Sequence, residues 1–166
     1  MTHPFQDAPR WLFILLAALL IGKVAGLVLV GAHTDEAYYW MLSQRPGLSY
    51  FDHPPLVPWM IRAFTELFGN SEAAFRLPAA IAWIVTAWVI FSLSFQLSNN
   101  RQAAWVSLLV FASLPIFQAG FHIVGPDSGL MLFTALTYYF ATRALNESSM
   151  RWWLLAGIGT GLGLLS

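Results

Sequence analysis

The sequence contains no cysteine in its 166 residues. That excludes a disulfide framework, a thiolate metal site and a thiol nucleophile. Charge is scarce as well. Asp, Glu, Lys and Arg make up 10% of the chain, against about 25% in soluble domains. A water-surrounded chain this short has too much surface to cover with so few charges. The eight acidic and eight basic residues cancel, so no basic surplus exists to grip a nucleic-acid backbone. Disorder is excluded by the 58% apolar content, since disordered chains combine low hydrophobicity with high charge. What is abundant is apolar and aromatic: 13 Phe and 8 Trp suit membrane interfaces and helices packed in lipid. The expected class is all-α: a polytopic transmembrane helical bundle whose surroundings are membrane lipid.

Five apolar stretches carry that expectation. They run over 11–32, 77–97, 102–124, 128–144 and 152–166. A bilayer core takes about 20 helical residues. The first stretch is interrupted only by Lys23 and is longer than the 7–15 apolar residues of a signal peptide. Ser98-Asn99-Asn100-Arg101 is a turn signal, Pro115 is expected to kink the third span, and Gly125-Pro126 breaks the chain before the fourth. The last stretch reaches about 22 Å as a helix, short of a core of about 30 Å. The sequence therefore reads as the N-terminal part of a longer membrane domain.

Orientation follows from the basic residues. With Arg10 cytoplasmic, the turns at 98–101 and 143–151 are cytoplasmic too. That side holds Arg10, Arg101, Arg143 and Arg151 against Asp7 and Glu147, a net +2. The opposite side holds Arg45, Arg62 and Arg76 against Asp35, Glu36, Asp52, Glu66, Glu72 and Asp127, a net −3. The N-terminus is expected inside.

The loop over residues 33–76 holds five of the eight acids and apolar stretches too short to cross. Leu56, Val57, Trp59, Met60, Phe64, Leu67 and Phe68 recur near helical spacing, with Arg62, Thr65 and Glu66 opposite. Pro54-Pro55 suits a helix start, and Gly69-Asn70 a stop. This predicts an amphipathic helix in the outer interface, with its Leu56/Trp59/Met60/Leu67 side in lipid. Residues 34–43 predict a shorter one with Thr34 as N-cap. Arg45-Pro46-Gly47 is the turn between them.

Asp35 and Glu36 directly follow the first span, and Asp127 follows the third at the same depth. Antiparallel spans bring Asp35 and Asp127 to one face of the bundle. Two half-desolvated carboxylates there suit acid–base work. Acids near helix N-termini also serve as caps favoured by the dipole, and both readings stand on the sequence alone. His33, His53, His122, Asp35 and Asp127 share the outer face, so a divalent metal is a possible cofactor, although their spacing matches no closed site. Lys23, near mid-span, faces the bundle interior or a cavity. Gly157, Gly159, Gly161 and Gly163 match no dinucleotide fingerprint and suit close helix packing.

Several ordered motifs resemble one family. Asp35-Glu36-Ala37-Tyr38-Tyr39-Trp40 comes first, then Tyr50-Phe51-Asp52-His53-Pro54-Pro55-Leu56, then Leu67-Phe68-Gly69, Arg76-Leu77-Pro78-Ala79 and Pro126-Asp127. Together they resemble the GT-C class of polyprenyl-phosphate-sugar-dependent glycosyltransferases, specifically family 39. That group includes protein O-mannosyltransferase-like enzymes and the aminoarabinose transferases of lipid A. Members are several times longer than this chain.

The resemblance implies an inverting transfer of sugar from a polyprenyl-phosphate donor to an acceptor hydroxyl. It implies a site on the outer face of a bacterial inner membrane, with Asp35 as general base and Asp127 and Glu36 beside it. Tyr38, His53, Arg62 and Arg76 are the expected substrate-binding residues. His53 stands where the aminoarabinose branch has a phosphate-binding Lys. The alternatives are a transporter or flippase, which should show inverted repeats and mid-plane charges, and an inactive truncated fragment.

Overall fold

The computed structural model describes residues 10–166; the leader with Asp7, used above for orientation, lies outside the described residues. Among them every element is an α-helix: α1 (Arg10–Leu29), α2 (Thr34–Ser43), α3 (Leu56–Phe68), α4 (Glu72–Ser98), α5 (Arg101–Ser113), α6 (Pro115–Gly120), α7 (Pro126–Glu147) and α8 (Met150–Leu164). The long helix α4 is the hub and packs against α1, α3, α5 and α7, while α8 lies along α7.

Two helices are long and apolar enough to cross a membrane by themselves, α1 and α4. The five spans expected from the sequence reduce to these two on that measure. The other three fall short for physical reasons. Pro115 has no N–H to give, and its ring disfavours helical geometry at the residue before it. Leu114 is accordingly extended, at φ −75° and ψ 123°, and the expected third span is two helices, α5 and α6. Side chains fill carbonyls around the break. Gln118 Nε2 donates to the Ala112 carbonyl at 2.5 Å, and Lys23 Nζ to the Gln118 carbonyl at 3.3 Å. Helix α7 is long enough, at 22 residues, but carries Thr, Tyr, Asn and Arg along its length. Helix α8 has 15 residues.

The turns form where the sequence signals them. Asn99 takes the left-handed region at φ 49° and closes α4, and the Asn100 side chain accepts from the Gln102 and Ala103 amides to open α5. Ser71 caps α4 by accepting from Ala74 N at 3.2 Å.

Two apolar clusters hold the helices together. The larger joins Leu12 of α1 to Trp83 and Phe91 of α4 and to Trp105, Leu108 and Phe111 of α5. The smaller lies under the connection between α1 and α4, where Tyr39, Val57, Ile61, Phe75, Ala79 and Val124 meet. The smaller cluster corrects the predicted lipid face of α3. Leu56, Val57, Ile61 and Thr65 are buried against protein, and the exposed large apolar residues are Leu67 and Phe68. Thr65 can be buried because its hydroxyl donates to the Ile61 carbonyl at 2.9 Å. Trp59 faces the 44–53 loop and its indole N–H donates to the Gly47 carbonyl at 2.8 Å.

Candidate active site

The site is built where α1 ends and α2 begins. A helix that stops leaves its last carbonyls unpaired. Here the guanidinium of Arg76, reaching over from α4, donates to the carbonyls of Gly26 (3.4 Å), Val30 and Gly31 (2.8 Å). The same group donates to Glu36 through Nε at 2.9 Å and Nη2 at 2.6 Å. Glu36 in turn accepts from the His33 amide at 2.9 Å and the Val124 amide at 3.1 Å. Arg76 is 2% exposed and Glu36 0%, so neither has a free face for a substrate.

Two side chains thus tie together the end of α1, the start of α2, α4 and the turn before α7. Burial pushes the Glu36 carboxyl upward. The Arg76 hydrogen bonds, the two amides and the Arg76 charge outweigh that push and hold it below the usual carboxylate range.

The start of α2 differs from the expectation of Thr34 as N-cap. The cap is His33, whose Nδ1 accepts from the Asp35 amide at 3.4 Å, and Glu36 completes a capping box by accepting from the His33 amide. Glu three residues after the cap was legible as a capping signal; a His cap was not, because Ser, Thr, Asp and Asn dominate that position. Capping therefore engages Glu36 and leaves the Asp35 carboxylate exposed.

Asp35 opens onto a cleft of about 400 Å³. Tyr38, Tyr39 and His53 form one wall, and Ile116, Gly120, Ile123 and Asp127 the other. Asp127 sits in the first turn of α7 behind Pro126, where the helix dipole favours an anion. Tyr38 donates to Asp52 Oδ1 at 2.7 Å. The Tyr39 hydroxyl lies 3.1 Å from His53 Nδ1, and Asp52 lies 3.7 Å from His53 Nε2. The hydrogen bond to Asp52 raises the Tyr38 pKa. The Tyr39 phenol is pushed up to about 12, by burial first and then by the charges of Asp35, Asp52, Tyr38 and Asp127.

The structure brings four of the seven expected site residues, Asp35, Tyr38, His53 and Asp127, to this cleft. Glu36 and Arg76 lie behind it as a buried pair. Arg62 is on the outer side of α3 in an ion pair with Glu66 at 2.5 Å. Tyr39 and Asp52 were not singled out from the sequence, although the adjacent pairs Tyr38-Tyr39 and Asp52-His53 signalled them.

His122 does not join the cleft. With Lys23 and Gln118 it lines a separate cavity of about 450 Å³ beside α1. Lys23 is 5% exposed and lies 5.2 Å from the Trp83 ring centroid. Among the described residues no three His, Asp or Glu side chains converge as metal ligands.

Comparison with known proteins bears on what this cleft is. Lipid A galacturonosyltransferase RgtD of Rhizobium johnstonii is 28% identical over 133 residues, covering 80% of this chain and 28% of the relative. An undecaprenyl phosphate-alpha-4-amino-4-deoxy-L-arabinose arabinosyl transferase of Pseudomonas savastanoi is 25% identical over 172 residues, covering 92% of this chain and 32% of the relative. Lipopolysaccharide core galacturonosyltransferase RgtB of Rhizobium johnstonii is 27% identical across 100% of this chain and 34% of its own. The chain spans about a quarter to a third of the length of the curated relatives it matches. No solved structure matches it significantly. Residues 52–166, which run from Asp52 through Asp127 and on through α8, match the family described as dolichyl-phosphate-mannose-protein mannosyltransferase. With that match covering most of its length, the chain belongs to the dolichyl-phosphate-mannose-protein mannosyltransferase family.

Proposed function

We propose that this chain supplies the N-terminal part of a membrane glycosyltransferase that moves a sugar from a polyprenyl-phosphate donor to an acceptor hydroxyl. One observation carries the reading: two carboxylates from distant parts of the sequence, Asp35 and Asp127, open onto one cleft. In the reaction, the acceptor oxygen attacks the anomeric carbon from the face opposite the phosphate. The carbon–oxygen bond to phosphate breaks, and the lipid phosphate leaves with the electron pair. Asp35 takes the acceptor proton, because a hydroxyl is a poor nucleophile until that proton can move in the transition state. Asp127, held in the first turn of α7, helps stabilise the positive charge that develops on the sugar ring. Displacement in one step inverts the anomeric centre. His53, when protonated, donates to the donor phosphate. Family membership and the names of the relatives support the lipid-linked donor.

In this reading α1, α4, the broken pair α5–α6, α7 and α8 all cross the inner membrane of a bacterium. The N-terminus is cytoplasmic and the cleft faces outward, roofed by α2 and α3 in the interface. The charge asymmetry of the loops supports that orientation.

Asp35→Asn tests the chemistry, because it keeps the side chain's size and hydrogen bonding and removes its affinity for a proton. Transfer of labelled sugar from a polyprenyl-phosphate donor in membranes should fall by about 10²–10⁴-fold, with donor binding retained. Transfer near the wild-type rate would place the base elsewhere, with Asp127 as the next carboxylate to replace.

A further inference from the structure

Ala119 and Ile123 stand between two open spaces. On one side they line the cleft of about 400 Å³ that holds Asp35 and Asp127. On the other they line the cavity of about 450 Å³ that holds Lys23, Gln118 and His122. No residue of α6 is buried, and the helix starts directly after the extended Leu114. Packing fixes a segment only where neighbours fill the space against it. A wall open on two sides takes its position from tethers.

We infer that Lys23 is a positioning residue for the proposed transfer: its hydrogen bond to the Gln118 carbonyl sets the cleft wall of Ile116, Gly120 and Ile123 against the wall that follows Asp35. This deepens the glycosyltransferase reading and rests on it. The last carbonyls of a helix lack intrahelical partners. In α6 the His122 and Ile123 amides take the Ala119 carbonyl, at 3.0 and 3.3 Å. The Lys23 ammonium takes that of Gln118 at 3.3 Å, the one hydrogen bond from α1 to α6 among the described residues. Phe117 and Phe121 hold the side toward α5, with ring centroids 5.1 and 5.9 Å from that of Phe111. Beyond α6 the Val124 amide donates to Glu36 at 3.1 Å. Lys23 and Glu36 thus hold the two ends of the segment that leads to Asp127.

The tether is itself held in place. Lys23 is 5% exposed, and its ammonium lies 5.2 Å from the centroid of the Trp83 ring in α4, whose face attracts a cation. The lysine therefore joins three elements, α1, α4 and α6. A buried ammonium in a membrane span is costly, and such residues mark functional positions. The wall that Lys23 holds faces Asp35, and a reacting group displaced by about 1 Å loses up to about 10²-fold in rate.

The test uses the full-length protein in membrane vesicles. Donors are the two sugars that the relatives' names give, 4-amino-4-deoxy-L-arabinose and galacturonic acid, each on polyprenyl phosphate. The one that the wild type transfers faster serves for the variants. Lys23→Met and Lys23→Leu remove the donor group and suit a span better than lysine does. In both, kcat should fall by about 10–10²-fold, while KM for the donor changes less. Lys23→Arg keeps the charge and the N–H donors and should restore most of kcat. Spin labels at the exposed Leu67 and Ile116 read the wall directly, apart from the kinetics and with any further Cys replaced by Ser. Their distance distribution should shift or broaden in Lys23→Met and return in Lys23→Arg. A lysine that serves stability alone would lower the amount of folded protein and leave both the distribution and the kcat of the folded fraction unchanged; that result overturns the inference. So does a raised donor KM with kcat intact, because Lys23 would then hold an anion. A wild type that transfers neither sugar defeats the glycosyltransferase reading and this inference with it. A wild type that transfers, with apolar variants that keep its kcat and its wall, defeats this inference alone.

Discussion

At the scale of single residues, Asp35 and Glu36 show how neighbours in sequence separate in space. Adjacent helical positions point about 100° apart, so the first carboxylate faces the cleft and the second is buried against Arg76. The position of the pair just after the first span was legible in the sequence. The division of labour was not, because the partner of Glu36 lies 40 residues away in a helix that reads as apolar. Glu36→Gln leaves a buried guanidinium without its counter-charge and should destabilise the protein by about 3–5 kcal/mol. Arg76→Met should do the same, and the double variant should lose less than the sum, measured by unfolding in detergent. The pH dependence has a definite sign. The folded Glu36 pKa lies below its ordinary 4.5, so its stabilisation is complete above about pH 4.5 and is lost as the pH falls through the lower folded value. Acidification below pH 4.5 should lower the unfolding midpoint of the wild type more than that of Glu36→Gln.

At the scale of elements, the short helices carry the most information beyond the sequence pattern. Periodicity and proline and glycine punctuation placed α2, α3, the turn at 98–101 and the stop at Gly69-Asn70 close to their observed bounds. Periodicity missed which face of α3 meets protein, because Leu56, Trp59 and Leu67 satisfy a lipid interface and a packed core equally well. The small cluster under the loop decides it, with Val57 and Ile61 almost fully buried. The fit of α1 against the 121–124 turn is equally invisible in sequence. A Cβ on Gly26 would overlap the His122 ring. Gly26→Ala should therefore destabilise by about 1–3 kcal/mol through overpacking. Adding His122→Ala should recover part of that loss, and unfolding midpoints of the two singles and the double measure it. An additive result would mean that the ring swings aside freely.

At the scale of the whole molecule, the bundle gathers polar chemistry at one end. The Glu36–Arg76 pair, the Tyr38–Asp52 contact and both cleft carboxylates lie where α1 and α7 meet the connection between α1 and α4. The opposite end holds the Arg143–Glu147–Arg151 ion pairs, with Arg143 and Arg151 against the Trp152 ring. Charge counts in the sequence separate the same two groups of residues, while Pro115 and the polar length of α7 leave α1 and α4 as the helices long and apolar enough to cross by themselves. Orientation is directly testable because the chain lacks cysteine. Single Cys residues at Ser71, Asn99 and Ser148 sit at the N-cap of α4 and the C-caps of α4 and α7. An impermeant maleimide added to intact cells should label Ser71→Cys and spare the other two until the membrane is opened. With α1 and α4 joined by a loop and antiparallel, labelling of Asn99→Cys in place of Ser71→Cys would invert the bundle. The cleft would then face the cytoplasm, and a donor presented on the outer leaflet could not reach Asp35. The topology experiment and the Asp35→Asn experiment therefore constrain one another: an outward base needs an outward donor, and both must hold for the proposed transfer to proceed.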